Sequence, residues 1–446
     1  MSEARAAMIG TLRAAHRGRT QALATAPETP PHAAPPPPES FDFSRLPRYE
    51  ALRMQRAAAD LLSIAPPFFR LHDGPPAAEQ SIDGALRLNF AAYDYLGLNG
   101  HPEVIAAATE AMARHGVSAG ASRLVGGERA VHRALEAALA EVYDAEAALA
   151  FVSGHATNVS VIATLLDRAD LILTDQFAHN SITEGARLSG ARRLVFPHND
   201  LDWLEARLAD LRGEARHVLI AVEGLYSMDG DSPDLARLIE IKTRHNAWLM
   251  VDEAHALGVL GATGRGIAEA QGIDPRAVEI WMGTLSKTLG ACGGYVAGSR
   301  TLIDLLRFSA PGFVYSVGLA APIAAAATAA LGIMRREPDR VARVQANGAR
   351  FRAAARAAGL DTGLGQGTAV APVIIGHSAR AALVSHLLCE AGISAFPIIH
   401  PAVPERQARL RFFLTARHTA EQIERTVATL AHLIAEADAR LAALGG

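Results

Sequence analysis

Lysine is the residue that this chain most nearly lacks. Its 43 lysines and arginines include only two lysines, Lys242 and Lys287, which leaves 41 arginines by subtraction. A guanidinium stays protonated, whereas a lysine amine can lose its proton and attack an aldehyde. Lys242 lies in an amphipathic segment, where a lysine is usually a solvated charge. Lys287 lies in the glycine-rich stretch GTLSKTLGACGGYVAG (283–298), at the end of an expected strand, and we interpret it as the functional lysine.

Other shortages narrow the class of protein. Two cysteines, Cys292 and Cys389, cannot form a disulfide framework, and the N-terminal region has no apolar core typical of a signal peptide. A net charge of −3 gives no electrostatic reason to expect a nucleic-acid partner. The uncharged stretch 316–334 is mostly alanine and contains Pro322, which favours a buried helix over a transmembrane segment. We therefore expect a cytoplasmic protein without a membrane span.

The composition changes along the chain. Residues 1–40 include PETPPHAAPPPPES, and this proline-rich stretch predicts a disordered tail or linker. We expect an N-terminal segment over 41–95, a large cofactor-binding domain over 96–310 and a small C-terminal domain over 311–446. The deletion of residues 1–40 would test whether the tail helps to recruit an acyl carrier protein.

Continuous apolar runs alternate with segments of helical periodicity through the large domain. Such runs predict an α/β fold with a mostly parallel central sheet covered by helices. The strand candidates are ALAFV (148–152), LILTD (171–175), RLVF (193–196), VLIAVEG (218–224), WLMVDEA (248–254), IWMGTLS (280–286) and GGYVAG (293–298).

The small C-terminal domain is predicted to be α+β. Its strand candidates are APVIIG (371–376), ISAFPII (393–399) and RLRFFLTA (409–416). A capping box of Thr419 with Gln422 marks the start of the last helix.

Polar and small residues follow the strands of the large domain. Ligands of open α/β sheets bind at the carboxyl ends of the strands, so these residues can share one site. They are Ser153, Gly154, His179, Ser227, Asp252, His255 and Lys287.

Asp252 and His255 follow one strand and lie three residues apart. A metal pair is one interpretation, but no third ligand completes it, and we predict no metal site. The alternative is pyridoxal phosphate (PLP), because a carboxylate that faces the pyridine nitrogen keeps the ring protonated and able to accept electrons. His255 would then bond the phenolic oxygen of the ring, and Lys287 would bond the aldehyde.

The phosphate of such a cofactor needs hydrogen-bond donors. SGHATN (153–158) follows a strand and opens a helix, where free backbone N–H groups and the helix dipole favour an anion. Thr284 and Ser286 add hydroxyl groups just before the lysine.

His179 lies two residues before Ser181, for which the sequence predicts a capping box with Glu184. This geometry would hold the imidazole at the sheet edge, where it could stack on a flat ring.

Five ordered motifs resemble the α-oxoamine synthase family of fold-type-I PLP enzymes over roughly residues 45–440. They are DQFAHNSITEGARLSGA, EGLYSMDGD, VDEAHALGVLG, GTLSK and PAVPERQARLRFFLTARHT. The resemblance implies that Lys287 forms the Schiff base, that Asp252 meets the pyridine nitrogen and that His255 meets the phenolic oxygen. It also implies that His179 stacks on the ring. Ser227 resembles a serine near the phenolic oxygen, and Gly154 and His155 match positions of the phosphate loop.

The resemblance also implies substrate contacts. Arg411 matches an arginine that holds the amino-acid carboxylate, and Asp94 stands where some relatives have an asparagine near the substrate. Ile399 replaces a further arginine of several bacterial members. Val317 and Gly318 stand where relatives supply a hydroxyl from the second subunit.

We therefore expect a decarboxylative Claisen condensation of a small amino acid with an acyl thioester, in a homodimer with its site at the interface. The motifs favour a serine palmitoyltransferase-like enzyme that joins serine, alanine or glycine to a fatty or polyketide acyl group on coenzyme A or acyl-carrier protein. The alternatives within the family are 8-amino-7-oxononanoate synthase and 5-aminolevulinate synthase. Outside it, an aminotransferase, or a nucleotide-binding protein that uses GATGRG (261–266), stays open.

Overall fold

The computed structural model describes residues 42–61 and 64–445. The chain divides into two units after Leu61, and the predicted tail, residues 1–40, lies outside the described residues. In the first unit, a short 3-10 turn, Phe43–Arg45, precedes helix α1 (Pro47–Leu61).

The second unit opens with three short strands and two helices. A π-helical turn over Arg123–Gly127 separates the helices. The elements are β1 (His72–Asp73), β2 (Glu79–Ile82), β3 (Ala85–Asn89), α2 (Pro102–His115) and α3 (Ala130–Val142).

A seven-stranded sheet follows. Its elements in chain order are β4 (Ala147–Phe151), α4 (Gly154–Leu165), β5 (Leu171–Asp175), α5 (Asn180–Ser189), β6 (Arg192–Phe196), α6 (Leu201–Leu211), β7 (Val218–Glu223), α7 (Leu235–Arg244), β8 (Trp248–Asp252), α8 (Ile267–Ala270), β9 (Ile280–Thr284) and β10 (Gly294–Gly298). The strand order is β4-β10-β9-β8-β7-β5-β6. Strands β5 to β9 run parallel, and β10 is antiparallel to both of its neighbours. The mostly parallel sheet and its seven strands, each within two residues of the expected bounds, are confirmed.

Both faces of this sheet are buried. In β5, Leu171 and Leu173 pack into one hydrophobic core, whereas Ile172 packs into a second core. Because alternate side chains enter two different cores, the strands read as continuous apolar runs in the sequence. Because the strand residues themselves fill the two cores, the polar residues that follow the strands lie at the edge of the sheet.

Six helices and four more strands follow in the described chain. They are α9 (Arg300–Ser309), α10 (Pro311–Val314), α11 (Ala321–Arg336), α12 (Pro338–Ala357), β11 (Val370–Gly376), α13 (Ser378–Glu390), β12 (Ile393–Ser394), β13 (Phe396–Ile398), β14 (Ala408–Phe413) and α14 (Ala420–Gly445). The capping box of α14 is confirmed: Gln422 N–H donates to Thr419 Oγ1 over 3.2 Å, and Thr419 N–H donates to Gln422 Oε1 over 3.0 Å.

One predicted strand is divided between two sheets. The segment expected as a single strand over 393–399 forms β12, which pairs in parallel with β3, and β13, which pairs with β14. The chain changes sheets at Ala395. The C-terminal part therefore shares a sheet with the N-terminal strands, and the domain boundaries given above stay a prediction.

Helix α11 contains most of the uncharged stretch and packs against α2 and α3. Eight of its residues are buried, as expected for an alanine-rich helix at a packed interface. Within residues 42–61 and 64–445, the structure has no helix long and apolar enough to cross a bilayer.

Candidate active site

A cavity of about 430 Å³ opens at the carboxyl ends of the central strands. It brings together eleven of the twelve residues predicted for the site; Asp94 is the exception. Its lining comprises Tyr93, Ser153, Gly154, His155, Asn158, His179, Ser181, Glu223, Ser227, Met228, Asp252, Ala254, His255, Met282, Thr284, Ser286, Lys287 and Arg411.

Lys287 follows β9 and its amine faces this cavity. Burial lowers the pKa of Lys287 to about 8, although the nearby carboxylates Asp252 and Glu223 oppose that shift. A larger fraction of this amine is therefore unprotonated near neutral pH than for an ordinary lysine. Lys242, in contrast, pairs with Glu279 over 2.5 Å and does not line the cavity.

Asp252 ends β8 and is fixed by two donors. Its Oδ1 accepts from the backbone N–H of Ala254, and its Oδ2 accepts from Asn158 Nδ2, each over 2.9 Å. Asn158 Nδ2 also donates to Ser181 Oγ over 2.9 Å, and that hydroxyl lies 2.7 Å from His179 Nδ1. One chain of hydrogen bonds thus orients both the carboxylate and the imidazole.

His179 is itself the N-cap of α5. Its Nδ1 accepts from the backbone N–H of Ser181 over 3.3 Å. The predicted capping box of Ser181 with Glu184 is therefore wrong, since the helix starts two residues earlier than that box requires and Glu184 pairs with Arg187 instead. Because Nδ1 accepts, the proton of a neutral His179 ring lies on Nε2.

His255 is buried beside a residue that the sequence did not single out. Tyr95 Oη lies 2.6 Å from His255 Nδ1. Burial lowers the pKa of His255 well below its usual value and raises the pKa of Tyr95, so both groups are neutral. When Tyr95 donates to Nδ1, the imidazole keeps its proton on Nε2 and can donate it to a ligand oxygen.

The start of α4 forms a cradle at one end of the cavity. Ser153 caps the helix through Ala156 N–H at 3.0 Å. A side chain on Gly154 would lie 3.1 Å from Thr284, so the backbone approaches β9 closely. Thr284 Oγ1 lies 2.7 Å from Ser286 Oγ. Thr284 Oγ1 donates to the backbone oxygen of Gly293 over 2.9 Å and so holds Ser286 in place. Backbone N–H groups at the helix start and the Ser286 hydroxyl are donors that suit a phosphate.

Arg411 on β14 enters the cavity from the C-terminal strands. Its Nη1 donates to the backbone oxygen of Ser227 over 2.9 Å, and its guanidinium lies over the ring of Phe413. Its Nε is buried and has no hydrogen-bond partner within residues 42–61 and 64–445. The side chain is thus held in place with donor capacity left for an anion.

Sequence reasoning missed Glu223, Asn158, Tyr93 and Tyr95. Glu223 is the last residue of β7, and burial beside Asp252 raises its pKa to about 8. A carboxylate at a strand end was the available signal for Glu223. Asn158 stood within the quoted SGHATN motif, but nothing in the motif indicated that it would reach Asp252.

Asp94 is placed outside the cavity. Its Oδ1 accepts from the backbone N–H groups of Leu98 and Asn99, at 2.8 and 3.2 Å, as in a turn. Tyr93, its neighbour, lines the cavity instead. Val317 and Gly318 do not line it either, and Val317 is exposed.

Comparison with known proteins identifies the family of this chain. Residues 87–430 match the family described as aminotransferase class I and II. The chain belongs to this family. It is 40% identical to 8-amino-7-oxononanoate synthase of Cellvibrio japonicus, over 82% of this chain and 91% of that protein. It is 42% identical to the same enzyme of Methylococcus capsulatus, over 82% and 94%.

Solved structures agree on the fold. Serine palmitoyltransferase of Sphingomonas wittichii has a TM-score of 0.84 at 30% identity, covering 89% of this chain and 99% of that one. 8-Amino-7-oxononanoate synthase of Francisella tularensis has a TM-score of 0.66 at 25% identity, covering 77% and 96%. The fold-type-I PLP transferase fold and the resemblance to α-oxoamine synthases are confirmed.

The protein is thus a PLP-dependent C-acyltransferase of the α-oxoamine synthase group. Its cavity fits PLP, because the buried amine of Lys287, the fixed carboxylate of Asp252 and the start of α4 at Gly154 line it together. The expected preference for serine palmitoyltransferase is less well supported than the stated alternative. The two 8-amino-7-oxononanoate synthases named above are 40% and 42% identical to this chain over the aligned residues, whereas the palmitoyltransferase of S. wittichii is 30% identical.

Proposed function

We propose that this protein condenses alanine with a seven-carbon acyl thioester that ends in a carboxylate, and so makes 8-amino-7-oxononanoate. That product is a nine-carbon acid with a ketone on C7 and an amine on C8. Decarboxylative condensation joins those two carbons, so alanine supplies C8 and C9 and the acyl donor supplies C1 to C7. Sequence identity to curated 8-amino-7-oxononanoate synthases is the observation that carries this choice of substrates.

Bound PLP supplies an aldehyde that takes up the substrate amine and a ring that accepts electrons from the α-carbon. Lys287 is proposed to hold the resting cofactor and, once freed, to remove the α-proton of the amino acid. Its pKa of about 8 suits a base that works near neutral pH. Asp252 would keep the ring nitrogen protonated, and the hydrogen bond from the Asn158 amide orients this carboxylate.

The remaining side chains of the cavity are proposed to bind and orient the cofactor and the amino acid. His255 would donate from Nε2 to the phenolic oxygen, with Tyr95 behind it and Ser227 nearby. Arg411 would hold the carboxylate of the amino acid, and His179 would stack on the ring. The phosphate contacts fall to another set of residues. These would be Ser153, Gly154, His155 and Ser286, with Thr284 positioning Ser286.

A serine palmitoyltransferase activity is the second candidate, because the backbone is more similar to that enzyme, with a TM-score of 0.84. Backbone similarity reports the fold, whereas side chains decide the substrate. Identity is therefore the better guide to the substrate. Either enzyme differs from an aminotransferase, which would release a keto acid without carbon dioxide.

The test is a matrix of amino acids and acyl donors on the purified PLP-loaded protein. Alanine, serine and glycine are each combined with heptanedioyl-coenzyme A, palmitoyl-coenzyme A and no thioester, and carbon dioxide, thiol and keto acid are measured. We expect carbon dioxide and thiol to be released only with alanine and heptanedioyl-coenzyme A. Preference for serine and palmitoyl-coenzyme A would establish the second candidate, and keto acid without thioester would establish an aminotransferase.

A homodimer with its sites at the interface remains part of this proposal. The segment before α11 lies beside the π-helical turn: Gly318 N–H donates to the oxygen of Ala121, two residues before the turn, over 3.0 Å, and a Cβ on Gly318 would lie 2.8 Å from Arg123 Cγ. Val125 and Tyr315 on these segments are more than four-fifths exposed. Large exposed apolar side chains suit a surface that a second copy covers. Sedimentation of the native protein measures its oligomeric state.

A further inference from the structure

A second cavity of about 430 Å³ adjoins the active site and shares Tyr93 and Arg411 with it. A third of about 140 Å³ shares His72, Ala91 and Phe396 with the second. We propose that the second cavity holds the acyl chain of the thioester donor and that His72 binds the carboxylate at the far end of that chain. This inference rests on the function proposed above and names the donor's binding site.

The second and third cavities, called the outer cavities below, are lined by positively charged groups that could bind an anion. Among the described residues that line these cavities, Arg70, His72 and Arg411 can carry positive charge, and none is an aspartate or a glutamate. Arg70 pairs with Asp83 over 3.2 Å, and Arg411 faces the reaction centre. His72 lines both outer cavities and is the basic group best placed to meet a distant carboxylate.

The hydrogen bonds around His72 leave one ring nitrogen for a ligand. Gln80 Nε2 donates to the backbone oxygens of Asp73 and Gly74, at 3.3 and 3.0 Å, which turns its Oε1 toward His72. That oxygen can only accept, so His72 Nδ1, 3.1 Å away, carries a proton. Nε2 makes no hydrogen bond to a described residue. In the imidazolium form Nε2 donates, and it can then bond a carboxylate.

The wall between the two outer cavities is apolar. Phe396 lines both and meets Phe68 edge-on, with ring centroids 5.4 Å apart. It lies across the strand pair from Arg411 in the β13–β14 register. Phe396 therefore lies between the second and third cavities, farther from Lys287 than Arg411 is in the proposed path of the acyl chain. There it would limit the length of the chain that the second cavity accepts.

The matched substrates are heptanedioyl-coenzyme A and its methyl ester at the distant carboxylate, which removes the charge and adds one methyl group. The ratio of their kcat/KM values is measured with alanine on PLP-loaded native, His72→Asn and His72→Gln proteins. An asparagine amide replaces Nδ1 and keeps the bond to Gln80, whereas a glutamine amide replaces Nε2. The exposed His377 lines none of these cavities, and His377→Asn is the control.

We expect His72→Asn to lower the preference for the charged donor by roughly threefold to tenfold, because a charge-assisted hydrogen bond is lost at an exposed site. His72→Gln should retain most of that preference, and His377→Asn should equal the native protein. The dissociation constant of an unreactive thioether analogue, measured by calorimetry, should follow the same order. Phe396→Ala should raise the relative rate with a ten-carbon dicarboxylic donor.

An unchanged donor ratio in His72→Asn, with condensation of alanine intact, would overturn the binding site and leave the proposed function standing. Failure of the native protein to condense alanine with either donor would overturn both. Equal binding of the charged and methylated analogues by the native protein would also exclude a carboxylate contact at His72.

Discussion

Asn158 Nδ2 donates to Asp252 Oδ2 over 2.9 Å, and the same nitrogen donates to Ser181 Oγ. Both asparagine and aspartate are buried, and the Asn158 amide comes from α4 while the carboxylate ends β8. The helix that offers its N–H groups for the phosphate therefore also orients the carboxylate proposed for the ring nitrogen. Two ends of one cofactor would be positioned by a single helix.

Asn158→Ala should weaken PLP binding, because Asp252 would keep only the Ala254 donor and would turn more freely. A hydrogen bond to a charged group contributes about 1.5–3 kcal/mol, so the dissociation constant of PLP should rise by roughly tenfold or more. Titration of apoprotein with PLP, followed by absorbance, measures it. The exposed Asn180 does not line the cavity, and Asn180→Ala should bind like the native protein. Equal affinity in both variants would remove Asn158 from the cofactor site.

Lys287→Ala should still bind PLP but should lose the covalent link. The chain provides a matched control, since Lys242 is its only other lysine. After borohydride reduction, mass spectrometry should find one cofactor attached to the native protein and to Lys242→Ala, and none to Lys287→Ala. Attachment at Lys242 would contradict the assignment, and so would an unchanged absorption spectrum in Lys287→Ala.

Strand-end residues account for most of what the sequence predicted. Lys287, Asp252 and His255 each follow a buried apolar run, and parallel strands bring such positions to one edge. Partners that arrive from other elements gave no comparable signal. Tyr95 reaches His255 from a sequence distance of 160 residues. Only tertiary packing shows that contact.

Of the two capping boxes predicted from the sequence, one was correct and one was wrong. Thr419 and Gln422 satisfied both halves of a capping box. The Ser181 box failed because His179, a residue rarely considered as a cap, accepts from the helix N–H first. The single strand expected over 393–399 failed for another reason. Periodicity records the burial of a residue and does not record which sheet it joins.

Arg411→Lys should weaken binding of the amino acid by about tenfold or more, because an ammonium cannot replace the two parallel bonds of a guanidinium to a carboxylate. The absorbance change of the PLP-loaded protein during alanine titration measures the dissociation constant. Arg406→Lys, in the turn before β14, is the control, because Arg406 does not line the cavity. PLP affinity should stay the same in both variants. An unaltered alanine titration in Arg411→Lys would exclude this arginine from substrate binding.

Glu223 makes the fold sensitive to pH. Burial raises its pKa from the ordinary value of 4.5 to about 8. Between those values the unfolded chain has lost the proton while the folded chain keeps it, so the free energy of unfolding falls as pH rises. The loss begins near pH 4.5 and is complete above pH 8, at about 1.4 kcal/mol for each pH unit as an upper limit.

Glu223→Gln should therefore gain stability relative to the native protein as pH rises, because glutamine has no proton to lose. Between pH 5 and pH 8 the difference in free energy of unfolding should move in favour of the variant by on the order of a few kcal/mol. Urea denaturation of both apoproteins at each pH measures the shift, and Glu253, whose pKa burial also raises to about 8, contributes equally to both. The exposed Glu110 provides the control, since Glu110→Gln should show no such trend. A difference independent of pH would mean that Glu223 is already ionised in the folded protein.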